Sequence, residues 1–289
     1  MWGGIAFGLA LGIGVPGALS GKDNQPESLT MSSKWAVDYD ADACHLIARF
    51  GAGDDAVTAR FTRFKPGDQF DFAVFGNRLN ATGAIGSGTV DFGLRDRPVT
   101  TSVMLGGMGK FPAVFFHSLR LDGAELVRRG DVLPDLSPER EAAVKGVTIA
   151  IRGKRAFRLE FGSLGKPMAA LRTCLSDLVR SWGFDPEVQA RLSRGATPLA
   201  APQTWMTNGD FPAGAAAGGH SGFVQFRLDI EADGKVSGCH VLYRTNPDDF
   251  ADLTCRILSK RAKLKPALDA QGKPVRSFFT NRVNWEAGL

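Results

Sequence analysis

GFVQFRLDI (222–230), EADGK (231–235) and VSGCHVLYR (236–244) are the runs whose reading decides the fold of the last third of the chain. In the first run Val224, Phe226, Leu228 and Ile230 fall on one face of a strand and Gln225, Arg227 and Asp229 on the other, the two-residue period of a half-buried strand. Asp233-Gly234 supplies the positive φ of a tight hairpin turn, so 236–244 returns as the partner strand. On that strand Cys239 alternates with Val241 and Tyr243, and the three are expected to share the face a helix covers. The helix itself is predicted from Asp248 to Arg261, where Phe250, Leu253, Ile257 and Leu258 repeat at helical spacing. Pro266 and Gly272-Lys273-Pro274 then break the chain before RSFFTNRVNW (276–285), a closing strand. The order is β-β-α-β.

Upstream the pattern changes. Nine short runs rich in Val, Phe and Thr recur between turn residues: KWAVDYD, HLIARFG, AVTARFTRF, QFDFAVFG, GTVDFGL, TTSVMLG, PAVFFHS, GVTIAIRG and AFRLEFG. Each reads as a strand. A helix follows, its apolar residues Met168, Leu171, Leu175, Leu178, Val179 and Trp182 at helical spacing and Pro167 in its first turn. Ser137-Pro138 and Asp185-Pro186 open two shorter helices. GATPLAAPQT (195–204) lacks apolar periodicity and reads as a linker. The fold class is α+β: a β-rich N-terminal domain closed by helices over 30–194, then a small β-β-α-β domain over 205–287.

With 289 residues, 44% hydrophobic and 22% charged, the chain can bury a core, and disorder is excluded. The net charge of +5 is scattered, which argues against a nucleic-acid partner. Residues 1–20 carry no charge and are almost wholly apolar or small. Ala18 and Ser20 stand where a signal peptidase would need small residues, so this segment reads as a signal peptide or an anchor and the protein as exported to the periplasm. No ionisable group in it offers coupling to a membrane motor. Export favours disulfides. The four cysteines allow three pairings, and one bridge per domain pairs Cys44 with Cys174 and Cys239 with Cys255.

The C-terminal third resembles the C-terminal domain of TonB-type energy transducers. The matching residues are Phe211-Pro212-Ala213, Gly222-Phe223-Val224, Asp233-Gly234-Lys235-Val236, Lys265-Pro266-Ala267 and Gly272-Lys273-Pro274, over roughly 205–287. The resemblance implies a non-enzymatic interaction module that offers a sheet edge to an extended peptide of an outer-membrane transporter. The N-terminal domain resembles no family, and the Pro-Glu/Pro-Lys spacer of the transducers is missing from the chain.

Signals for chemistry are sparse. His45, His117, His220 and His240 show no metal spacing, His117-Ser118 has no nucleophile elbow around it, and the glycines of GSGTVDFG and MLGGMGK read as hairpin turns rather than phosphate loops. Neither cofactor nor metal is expected. Lys260, Arg261, Lys263 and Lys265 read as a solvated helix end. The functional residues are therefore placed on the closing strand: Arg276, Phe278, Phe279, Thr280, Asn281 and Arg282. An edge there would accept a peptide strand, or a second copy of the chain, with Arg276 and Arg282 on one face favouring acidic residues. Proline at Phe279 or Asn281 is expected to abolish such binding. The competing reading is a periplasmic enzyme or solute-binding protein whose activity lies in the N-terminal domain. A deep pocket of ionisable groups there would favour it.

Overall fold

In the computed structural model, residues 25–80, 85–124, 134–245 and 248–287 are described. The expected signal peptide or anchor lies outside them. Among the described residues no helix is long and apolar enough to cross a membrane.

All nine expected upstream strands form, preceded by one that the polar sequence around Glu27 gave no reason to expect. In chain order they are β1 (Glu27–Thr30), β2 (Ala36–Tyr39), β3 (Cys44–Phe50), β4 (Val57–Arg63), β5 (Phe70–Phe75), β6 (Ile85–Asp91), β7 (Val99–Met108), β8 (Phe111–Leu119), β9 (Gly146–Ile151) and β10 (Phe157–Glu160). They make one sheet in the order β1-β10-β9-β6-β7-β8-β5-β4-β3-β2, antiparallel except for β1 on β10. Just beyond β1, Met31 bridges to Phe50 and the Ser32 N–H donates to the Arg49 carbonyl at 2.8 Å. The sheet therefore curls until its first strand meets its next-to-last, which shields much of its edge.

The inner face carries the alternating apolar residues, including Leu46, Phe50, Phe61, Phe72, Phe116 and Ile149. It packs around α2 (Gly165–Ser181), where Met168, Leu171, Leu175 and Leu178 are buried. Each such burial is worth about 1.5–3 kcal/mol. α1 (Pro138–Ala143) and α3 (Pro186–Ala190) start as expected: Ser137 accepts from the Arg140 N–H, and Asp185 from those of Glu187 and Val188. Of the GSGTVDFG glycines Gly93 lies in the β6–β7 connection with φ +77°, but Gly86 and Gly88 are not in a turn. Gly88 lies inside β6, where a Cβ would come within 3.0 Å of Val103 and 3.2 Å of the Ala150 carbonyl, so the residue is small because neighbouring strands crowd it.

In the C-terminal third, β12 (Gly222–Ile230) lies between β13 (Val236–Thr245) and β17 (Ser277–Trp285). α5 (Asp248–Arg261) covers the face bearing Phe226, Leu228 and Ile230, with Leu258 against them. At the hairpin Gly234 has φ +85°, and a Cβ there would meet the Leu264 carbonyl at 2.5 Å. β13 departs from simple alternation. Gln225 pairs with Tyr243 but Phe226 with Val241, so Leu242 is a bulge. One extra residue reverses the facing of the residues after it, and Tyr243 leaves the helix side to pack near Phe223 and Phe64.

The 195–204 stretch is not a free connection. β11 (Thr197–Pro198) pairs with β14 (Leu264–Lys265), and Arg194 bridges to Leu268, next to the small pair of β15 (Ala267–Leu268) and β16 (Pro274–Val275). Two prolines removed the apolar period from the sequence but left backbone groups able to pair. A short helix, α4 (Ala213–Ala217), precedes β12. At the far end of α5 the basic residues are not all solvated, since Arg261 forks onto Asp210 at 2.6 and 2.9 Å. With the Arg261 hydrogen bonds first and the Thr207 N–H second, the Asp210 carboxyl is held far below the usual range.

Disulfides join Cys44 to Cys174 and Cys239 to Cys255. Cys44 and Cys174 are 0% and 1% exposed, whereas both partners of the second bridge are partly exposed. Access governs thiol exchange. Mild reductant on the native protein should therefore free Cys239 and Cys255 well before Cys44 and Cys174, as read by alkylation and mass mapping. Equal rates would contradict the burial.

Candidate functional site

The polar face of β12 should meet water by its sequence, yet Gln225, Arg227 and Asp229 are buried. What covers them is the outer face of the ten-stranded sheet and the end of α2. Alternation along β3, β4, β5 and β8 turns Leu46, Phe61, Phe72 and Phe116 inward, and so turns His45, Arg60, Thr62, Asp71 and His117 outward toward the C-terminal sheet.

Two ionic junctions hold this contact. At the first, Asp71 accepts from the Ser118 N–H at 2.9 Å and from His117 Nδ1 at 3.0 Å, and takes an ion pair from Arg282 of β17. Burial raises the Asp71 pKa, but the His117 hydrogen bond and the Arg282 charge outweigh it and carry the carboxyl below its ordinary value. Arg282 also lies over the Phe223 ring at 4.4 Å. At the second junction Asp229 accepts from Arg227 Nε at 2.9 Å and His240 Nε2 at 3.0 Å. Arg227 stacks on Trp182 at 4.2 Å and Arg276 on Phe184 at 4.4 Å, two cation–π contacts in partly desolvated settings. Phe278 meets both Trp182 and Phe184 edge-on. Burial lowers the Arg227 pKa despite Asp229 beside it.

Beside the first junction lies a cavity of ≈ 30 Å³, lined among others by His45, Arg60, Thr62, Asp71 and His117 from one side and Phe223 and Tyr243 from the other. His45 and His117, far apart in sequence, meet here. Burial, then the Arg60 charge, holds the His45 imidazole below its ordinary value, and its Nδ1 is 2.9 Å from Thr62 Oγ1. Burial likewise lowers the Arg60 pKa. Among the described residues no cluster has the composition of a metal site.

β17 pairs with β12 alone, so its other side is an edge. Two bonds set the phase of that edge. The Phe223 N–H goes to Thr245 of β13, and the Arg282 N–H is taken by the Asn281 side chain at 2.8 Å rather than by β12. Since antiparallel neighbours alternate, Phe278, Thr280, Arg282 and Asn284 turn their backbone groups outward, while Phe279 and Asn281 bond to β12.

The six residues expected to meet a partner thus divide three ways. Phe279 packs inward near Trp205 and Phe226, and Asn281 faces β12 with its backbone and caps Arg282 with its side chain. Phe278, Thr280 and Arg282 have side chains against the N-terminal part and backbone groups on the open edge. Arg276, just before β17, is spent on Phe184, the Gly183 carbonyl and Glu231. The chain itself supplies acidic and aromatic partners to both arginines. Asp71 and Phe184 were not singled out by sequence, and Trp182 only as part of a helical stripe; the usable signal was indirect: a strand whose polar face carries an Arg and an Asp two residues apart.

The C-terminal part is a two-layer α+β unit whose three-stranded sheet ends in β13 on one side and β17 on the other, with the polar face of β12 already covered. Residues 207–287 are a TonB-type domain, matching the family model described as Gram-negative bacterial TonB protein C-terminal. The match extends over under a third of the chain and leaves the N-terminal part unassigned. No curated protein and no solved structure matches the chain.

Proposed function

We propose that this is an exported protein of the cell envelope that captures an extended segment of an outer-membrane protein by strand addition along the outer side of β17. The observation that supports it is the edge itself: Phe278, Thr280, Arg282 and Asn284 present backbone groups that β12 does not use. An added strand would satisfy them, and main-chain bonds would supply affinity. Because the sheet face is occupied by the N-terminal part, specificity would come from groups along the edge rather than from Arg276 and Arg282. The N-terminal part then serves as a platform that fixes the orientation of the C-terminal sheet. Its cavities of ≈ 30 and ≈ 60 Å³ at the interface are too small for an ordinary solute, since ligand pockets are typically about 300–1,000 Å³.

The phase of the edge replaces the expected proline test with a sharper one. Asn284→Pro removes an outward N–H at an exposed position, where an edge strand tolerates proline, while Phe279→Pro removes a bond to β12. A photo-crosslinker at position 286 in envelope preparations should join the parent protein to an outer-membrane transporter. Asn284→Pro should lose that product with an unchanged melting temperature, and Phe279→Pro should lower the melting temperature. Crosslinking that survives Asn284→Pro would exclude strand addition at β17.

A further inference from the structure

Arg60 carries a guanidinium with no hydrogen bond and no ion pair among the described residues, although it is mostly buried. Tyr243, Asp38, Asp40 and Asp71 act on it only through space. Of these, Asp71 is already shared by His117, Ser118 and Arg282. Nε of Arg60, Nε of Arg282 and Nε2 of His117 are all buried without a partner, and Arg60 and His117 line the same cavity as Asp71, Phe64, Phe115, Phe223 and Tyr243, the Asp71 carboxylate being taken up by its own three donors. A donor buried without a partner in such surroundings is costly.

We propose that this cavity is a carboxylate-binding site, with Arg60 as its two-pronged donor and the open Nε2 of His117 beside it. Size and charge both point to that group. At ≈ 30 Å³ the space holds about two waters by the same measure, which suits the two oxygens of one carboxylate and excludes a ring or a sugar. Arginine binds carboxylates through parallel N–H bonds, and the aromatic walls weaken competition from solvent. With Nδ1 engaged by Asp71, Nε2 is the His117 nitrogen left for a ligand. The carboxylate can come from a small free acid or from an acidic side chain of a bound peptide. The site does not rest on strand addition, because its walls are the facing sheets and not the β17 edge.

Sodium acetate titrated into the full-length protein, against acetamide and against sodium chloride at equal ionic strength, tests the first source. A five-residue extended peptide with a central Glu, against its Gln counterpart, tests the second. The His117 ring resonances are the readout. Saturable shifts with acetate or with the Glu peptide, absent in the controls, are expected, and acetate binding should persist in Asn284→Pro. Arg60→Gln should weaken the effect at least about tenfold, the worth of a charge-assisted bond, and Arg49→Gln, at an exposed position, should not. Arg60→Lys keeps the charge but loses the fork, and should also weaken binding in a protein that folds. Acetate alone assigns a free acid and the Glu peptide alone an acidic segment. Absence of saturation in both arms, or undiminished binding in a folded Arg60→Lys or Arg60→Gln protein, overturns the site.

Discussion

Replacing Asp71 by alanine should free the C-terminal sheet from the N-terminal one at a cost of about 3 kcal/mol, the lower end of the range for breaking a buried ion pair. The lower end applies because Arg282 and Asp71 keep 16% and 20% of their side-chain surface exposed. Removal would leave Arg282 and His117 without the carboxylate they share. Amide exchange should then accelerate along β17 and the end of α2, while β4 and β5 stay protected. The pH dependence has a definite sign. Asp71 is held below its ordinary value, so its contribution is complete above about pH 4, the unfolded value, and fades as pH falls through the lowered native one. Asp71→Ala should abolish that acid-side loss. Exchange rates in β17 that match the parent at pH 7 would mean that the stacking on Trp182 and Phe184 suffices to hold the parts together.

Local order was legible in the sequence wherever a residue's role is set within a turn or a strand. The faces of β12, the caps at Ser137 and Asp185, the stripe of α2 and the turn at Gly234 are all set by spacing. The cysteine pairing was legible for a different reason, since one bridge in each part is the economical choice in an oxidising compartment. The features that stayed hidden depend on contacts between distant segments. Asp71 and Arg282 are 211 residues apart, and nothing near either marks the other. The Leu242 bulge is silent too, because VSGCHVLYR alternates as well with one register as with the other until the partner strand is in place. For the closing strand the sequence identified an edge and the two faces but not the phase of its backbone. Hence the positions first expected to matter for proline, Phe279 and Asn281, are those that hold the sheet together.

The covered face also changes what the TonB-type domain can do in this chain. A domain of this kind standing alone would offer its polar sheet face as well as its edges. Here the face is filled by Trp182, Phe184 and the Asp71 junction, so under the proposed strand addition a partner that pulled on β17 would load the N-terminal part through these contacts.

Within it, loss of Asp68 should be the most damaging single charge change. Arg63, at 1% side-chain exposure, lies 4.0 Å from Asp68, and Arg120, at 5%, lies 3.6 Å from the same carboxylate. Asp68 also accepts the Leu136 N–H and so ties the segment leading into α1 to the end of β4. Arg120 has a second partner, Asp122, through two bonds of 3.0 Å, but among the described residues Arg63 pairs with no other carboxylate, Glu141 and Asp135 acting on it only through space, and otherwise reaches Met168 Sδ of α2 at 3.8 Å. Asp68→Ala would thus strand a fully buried guanidinium against the helix that carries Trp182, at a cost of roughly 3–5 kcal/mol. Urea unfolding should show the fall in midpoint. Arg63→Met combined with Asp68→Leu should recover most of it, because an apolar pair of similar volume avoids both desolvation and the orphaned charge. If the double variant were as unstable as Asp68→Ala alone, the loss would lie in the Leu136 tie rather than in the unpaired arginine.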